Sequence, residues 1–149
     1  MAAGVSRRIA EPETQGFSAL SIPVSAGELI DKITILAIKT ERVRNAPKRL
    51  MAAGELALLQ SAAAPLLAAD AAMAAEIAPL MARLKGVNQA LWDVEDDLRA
   101  MERRQDFGAA FVERARSVYR INDERARLKN AISAAAGCDL REVKEHPDY

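Results

Sequence analysis

Apolar residues recur at helical spacing along most of this chain. Leu29, Ile33, Leu36, Thr40 and Val43 form one stripe, while Ile30, Ile35 and Ile38 lie off it. A helix that is apolar over more than half its circumference is expected to be central and packed on several sides. The residues before it, Ser25-Ala26-Gly27-Glu28, read as a capping box with Ser25 at N-cap and Glu28 at N3. Val24 and Leu29 fall at the positions of a hydrophobic staple. This first helix is expected to reach about Arg44. Asn45 and Pro47 mark the join to a second helix through about Ala69, weakened by Gly54 and Pro65. Asp70 is placed to cap a third helix running to about Arg104, in which Pro79 permits a kink or a restart. After the turn Gln105-Asp106-Phe107-Gly108, with Asp106 as candidate cap, a fourth helix runs to Gly137, a left-handed C-cap candidate. Neither a strand pattern nor a glycine-rich phosphate loop nor an internal repeat is present. The predicted fold class is all-α, a predominantly antiparallel bundle of three to four helices with short loops. The expected organisation is a disordered lead-in over 1–20, the bundle domain over 21–137 and a polar tail over 138–149, with Leu140 and Val143 as its anchors.

Composition narrows the function classes. The 149 residues suit one domain, and Lys+Arg and Asp+Glu both number 21, so bulk electrostatics give no hold on nucleic acid or an anionic membrane. One cysteine and one histidine exclude an internal disulfide and any metal site not built almost wholly of carboxylates. No cofactor and no metal are expected. The stretch from Leu56 to Ala82 is interrupted by Pro65, Asp70, Glu76 and Pro79, which argues against membrane insertion, and no secretory signal is read at the start. The expected compartment is the cytoplasm. His146 is expected to be exposed in the tail, and Cys138 has no activating neighbour in sequence.

The informative polar residues are those on apolar faces. On the third helix Glu95 and Glu102 lie within about 60° of the centre of the Leu84–Leu91–Leu98 face, with Asn88, Trp92 and Arg99 along one edge. On the fourth, Arg114, Asn122, Arg125 and Lys129 fall within about 60° of the centre of the Phe111–Val118–Leu128 face. Lys32 and Lys39 share one edge of the first helix. Two readings are open. These groups either pair to fix helix register or line a pocket for an anionic ligand. With the hairpin turn centred near Asp106, facing positions on helices three and four have numbers totalling about 212, as for equal-rise antiparallel rods. Arg114 is then expected to bridge Glu95 and Glu102 beside Arg99, giving a structural charge network. Arg125 and Lys129 are expected to form an unpaired cationic end. Lys32, Lys39, Asn88, Trp92 and Asn122 join them as candidate ligand-binding residues.

Three blocks carry a resemblance: IPVSAGELIDKITILAIKTER at 22–42, VNQALWDVEDDLRAMER at 87–103 and DFGAAFVERARSVYRINDERARLKNAI at 106–132. The chain resembles a small bacterial all-helical family catalogued as a domain of unknown function. Its motif positions fall here on Asp31, Lys32, Asn88, Trp92, Glu95, Arg99, Arg114, Tyr119, Asn122, Arg125 and Lys129. Glu142-Val143-Lys144-Glu145-His146 departs from the family's usual E-E-K-S-Y ending. The resemblance implies no activity; it implies company with glycosyltransferases and surface-polysaccharide enzymes.

Two enzyme classes fit the residues poorly. A helical nucleotide pyrophosphohydrolase needs several inward carboxylates around Mg²⁺, and only Glu95 and Glu102 face inward. A chorismate-mutase-like pocket lacks its arginine near the start of the first helix. No catalytic residue is assigned. The expectation is a non-catalytic helical module whose interior charges hold an anionic small molecule. The alternatives are an accessory protein or homo-oligomer serving a cell-envelope glycan enzyme, and a small enzyme acting on an anionic metabolite.

Overall fold

A computed structural model describes residues 20–145, which form four helices in chain order: α1 (Ala26–Arg42), α2 (Ala46–Ala69), α3 (Ala71–Arg103) and α4 (Ala109–Ala135). Among the described residues there is no strand, and the fold is an all-α bundle. Residues 1–19 of the lead-in, and His146, lie outside the described residues. The α1 helix touches all three of the others, α3 and α4 form the most extensive pair, and α2 packs chiefly on α1.

This placement follows from the apolar pattern. The core draws Ile30 and Ile33 from α1, Ile77 and Leu84 from α3, and Leu128 and Ile132 from α4. Ile30, Leu84 and Ile132 are wholly excluded from water. Burying each contributes about 1.5–3 kcal/mol, so these three together approach the net stability of a small domain. On α1, Leu36 and Ile38 are also buried, as expected of a central helix. One residue sets how close α1 and α4 come. A Cβ on Gly27 would lie 2.1 Å from the Lys129 carbonyl oxygen and 2.8 Å from Ser133 Oγ. The Gly27 N–H donates to that hydroxyl at 3.0 Å.

Local signals end the helices. Ser25 Oγ accepts from the Glu28 N–H (3.1 Å), Asn45 Oδ1 from the Lys48 N–H (3.0 Å), and Asp70 Oδ1 from the Ala72 and Met73 N–H groups (2.8 and 3.2 Å). The capping box is only half formed, because the Glu28 side chain turns to Lys129. Pro65 and Pro79 lie inside α2 and α3, and Pro79 does not divide α3. Asp106 does not cap α4. Gly108 holds that position without a side-chain bond, and Asp106 sits two residues earlier in the turn. That turn is a Schellman closure: Gln105 has φ 54°, and the Asp106 N–H reaches the Met101 carbonyl at 3.0 Å. Gly137, with φ 64°, ends α4 in the same way, as its position predicts.

The α2 helix has the expected bounds, and its surface is the least covered of the four. It starts at Ala46 and passes through Pro65, so its most apolar stretch escapes Asp70 and Glu76. By length and mean hydropathy (1.4) it could cross a membrane, yet only 11% of that stretch is buried. One side packs on the core through Ala63, Leu56, Leu59, Leu66 and Leu67. The rest is turned outward, including Leu50 and Met51, both more than 70% exposed.

Candidate functional site

The polar centre of the bundle is Asp31. It lies on α1 four and seven residues before Ile35 and Ile38 and so shares their side of the helix. Its side chain is 4% exposed. From α4, Arg125 grips it with two parallel bonds, Nε to Oδ1 at 2.9 Å and Nη2 to Oδ2 at 2.6 Å. From α3, Asn88 Nδ2 donates to Asp31 Oδ1 and to Thr34 Oγ1, each at 2.9 Å. Thr34 Oγ1 in turn donates to the Asp31 carbonyl at 2.8 Å. Asn122 Oδ1 accepts from Arg125 Nη1 at 3.4 Å. Hydrogen bonding to Asp31, together with its charge, outweighs burial and raises the Arg125 pKa above the ordinary arginine value. The guanidinium therefore stays charged. Among the described residues no buried side-chain nitrogen or oxygen lacks a hydrogen-bond partner. A network satisfied this completely fixes the relative rotation of three helices.

Lys129 has its own partners. Its side chain is mostly buried, and its ammonium meets Glu28 Oε1 at 2.6 Å and Glu142 Oε2 at 2.5 Å. Burial lowers its pKa, but its hydrogen bonds to Glu142 and Glu28 and their charges more than offset this, and the net direction is upward. Asn130 clamps the backbone of Glu142 in both directions, at 3.1 and 3.0 Å. Lys144 Nζ bonds the Asn122 carbonyl at 3.0 Å. The segment after α4 is thus anchored by Glu142 and Lys144. Leu140 and Val143, the expected anchors, are 50% and 88% exposed.

These contacts correct the expected unpaired cationic end. Arg125 and Lys129 are both paired, by carboxylates on α1 and on the segment after α4. Comparing α3 with α4 alone could not show them. Asp31 was readable only as a motif position, although its shared face with Ile35 and Ile38 was a usable signal. The charge network expected around Arg114 also differs. Arg114 bonds Asp97 at 3.0 Å, while Arg99 pairs within its own helix with Glu95 (3.0 Å) and Asp96 (3.9 Å), and Glu102 is exposed. Asp97 lies within one residue of the level predicted to face Arg114. The axial register was sound and the rotation of α3 was not. All these side chains are substantially exposed, and such pairs contribute about 0–1 kcal/mol. Lys32 is likewise on the surface, bonded to Glu55 of α2 at 2.6 Å.

Four of the candidate ligand-binding residues do converge. A cleft of about 430 Å³ between α1, α3 and α4 has Ile35, Ile38, Leu91 and Trp92 as its apolar part, with Asn88 and Arg125 among its polar lining. Lys39, Glu95, Asp96 and Arg99 complete it. Trp92 is partly exposed, and its Nε1 donates to Asp96 Oδ2 at 2.9 Å. Lys39 is exposed and has no ion-pair partner among the described residues. Asn122 reaches the cleft only through Arg125, and Lys32 and Lys129 do not line it. Among the described residues no three His, Cys, Asp or Glu side chains are grouped to hold a metal ion.

No curated protein and no solved structure matches this chain. Residues 20–146, which carry the whole of the bundle, the cleft and the Asp31 network, match a family of unknown function, and the protein belongs to that family, DUF6165.

Proposed function

We propose that the protein is a non-catalytic binding module whose cleft takes a small molecule with an apolar, preferably planar body and an anionic group. The observation that carries this reading is the cleft itself. Its volume of about 430 Å³ falls within the range of small-molecule sites, and an apolar wall with a few convergent polar groups is their usual lining. The body of the ligand lies against Trp92 and Leu91, and the anion meets Lys39. Arg99 offsets one of the two charges of Glu95 and Asp96, so the hold on an anion depends on Lys39. Magnitudes rank the two contributions. Covering that apolar wall is worth about 2 kcal/mol, whereas an exposed charge pair in water contributes about 1 kcal/mol. The wall sets affinity and Lys39 sets the preferred sign. The Asp31–Arg125–Asn88 network holds the base of the cleft rigid. Its hydrogen-bonding groups are spent on one another, which favours binding over acid–base chemistry.

Trp92 is the single tryptophan, so its emission reports occupancy directly. The probes are 2-naphthoate, naphthalene-2-methanol as its neutral counterpart, and inorganic phosphate as an anion without a body. Saturable quenching and a raised Tm with naphthoate, weaker binding of the alcohol, and loss of the difference in Lys39→Gln are expected. Native mass spectrometry of the purified protein should also show a retained small molecule. Unchanged emission and Tm with all three probes, with no molecule retained, would refute the reading.

A further inference from the structure

A second concavity lies on the other side of α1, against α2, and encloses about 880 Å³. Its apolar wall includes Val43, Met51 and Leu58, and Lys39 and Lys48 lie along it. The one carboxylate there, Glu55, is taken by Lys32. Two ammonium groups therefore flank an apolar trough with no counter-charge from the described residues. The α2 helix explains why the trough is open. It is apolar on nearly all sides, a character that belongs to helices covered all round, yet α1 covers one side and only Ala52 and Ala63 are buried.

We propose that this trough is a docking site for an acidic amphipathic helix of another protein. Apolar side chains at i, i+3 or i+4 and i+7 would enter between α1 and α2, and flanking Glu or Asp would meet Lys39 and Lys48. From Lys32 to Val43 the trough follows α1 for eleven residues, about 17 Å, which matches about three turns of a docked helix. Charge and shape select this occupant over others. Two copies of the chain joined about a two-fold axis through the trough would put four unpaired lysines and no free carboxylate into one interface. A bilayer presents a broad, flat anionic surface, whereas this apolar surface is concave. Lys39 borders both concavities, whereas Lys48, Met51 and Leu58 belong to the trough alone, so the proposal stands without a ligand in the cleft.

The test is selection on the full-length protein from a displayed library of helix-forming peptides of about 14 residues. Apolar anchors are fixed at i, i+3, i+4 and i+7, and the remaining positions vary among Glu, Lys, Gln and Ala. The selected pool should carry more Glu than Lys. Its members should bind with micromolar Kd, more weakly at high salt, and about tenfold more weakly to Lys48→Glu and Met51→Asp. Both positions are exposed, so these variants keep the fold, and Trp92 emission with naphthoate should be unchanged in them. The proposal is overturned if no peptide is enriched, if the pool has no acidic bias, or if neither variant weakens binding. Sedimentation showing a dimer that Met51→Asp dissociates would make a second copy the occupant. Binding to phosphatidylglycerol vesicles that Met51→Asp abolishes would make it a membrane. Either result also overturns the proposal.

Discussion

Cutting the Asp31–Arg125 pair from either side should have unequal costs, because the two charges are unequally buried. Arg125→Ala leaves a carboxylate that is 4% exposed with Asn88 as its remaining side-chain donor. Asp31→Ala leaves a guanidinium that is 26% exposed and can recruit water for part of what it loses. Breaking a buried pair costs about 3–5 kcal/mol. The expected values are therefore about 4 kcal/mol for Arg125→Ala and about 3 kcal/mol for Asp31→Ala, with part of each due to the stranded partner. Removing both charges removes that penalty. The double variant should be less destabilised than the sum of the single variants by about 2–3 kcal/mol. Urea titrations followed by far-UV circular dichroism would give all four stabilities, provided that the slopes agree. With a net stability of about 5–15 kcal/mol to lose, even the harsher variant should remain measurable. Additivity within about 0.5 kcal/mol would refute the reasoning. It would mean that the two side chains do not share a low-dielectric contact and that the network does not fix helix rotation.

Three further outcomes are expected. Gly27→Ala should cost about 2–3 kcal/mol by calorimetry, because its Cβ would lie 2.1 Å from the Lys129 carbonyl oxygen and force α1 from α4; a neutral result would contradict the close crossing. Gln105→Gly should stabilise by about 1 kcal/mol in urea titrations, since φ 54° strains a residue with a Cβ, and a destabilised variant would refute the turn geometry. The Lys129 pKa is raised by folding, so its contribution is complete below the unfolded value of about 10.4 and is lost as pH climbs through the folded value. The urea midpoint of the wild type should therefore fall more steeply above that pH than that of Lys129→Met, and parallel curves would count against the ion triad of Lys129 with Glu28 and Glu142.

The number and order of the helices, the caps at Ser25 and Asp70, the break at Asn45, the left-handed Gly137 and the central place of α1 were all legible in the sequence. Each depends on residues within one or two helical turns, where spacing dictates contact. The hairpin register of α3 and α4 was legible too, because rise per residue is fixed and a short turn sets the zero. Most of the candidate site was only half legible. Asn88, Trp92 and Arg125 were on the right faces, but the carboxylate that completes them comes from Asp31, 94 residues before Arg125. Arg114 met the right level of α3 and the wrong carboxylate. Level along a helix axis follows from chain geometry, whereas rotation about it is decided by how side-chain ridges of several helices interlock at once. The open side of α2 was hidden for the same reason. Its sequence states that it is apolar, and only the arrangement of the other helices decides which parts of it find a partner.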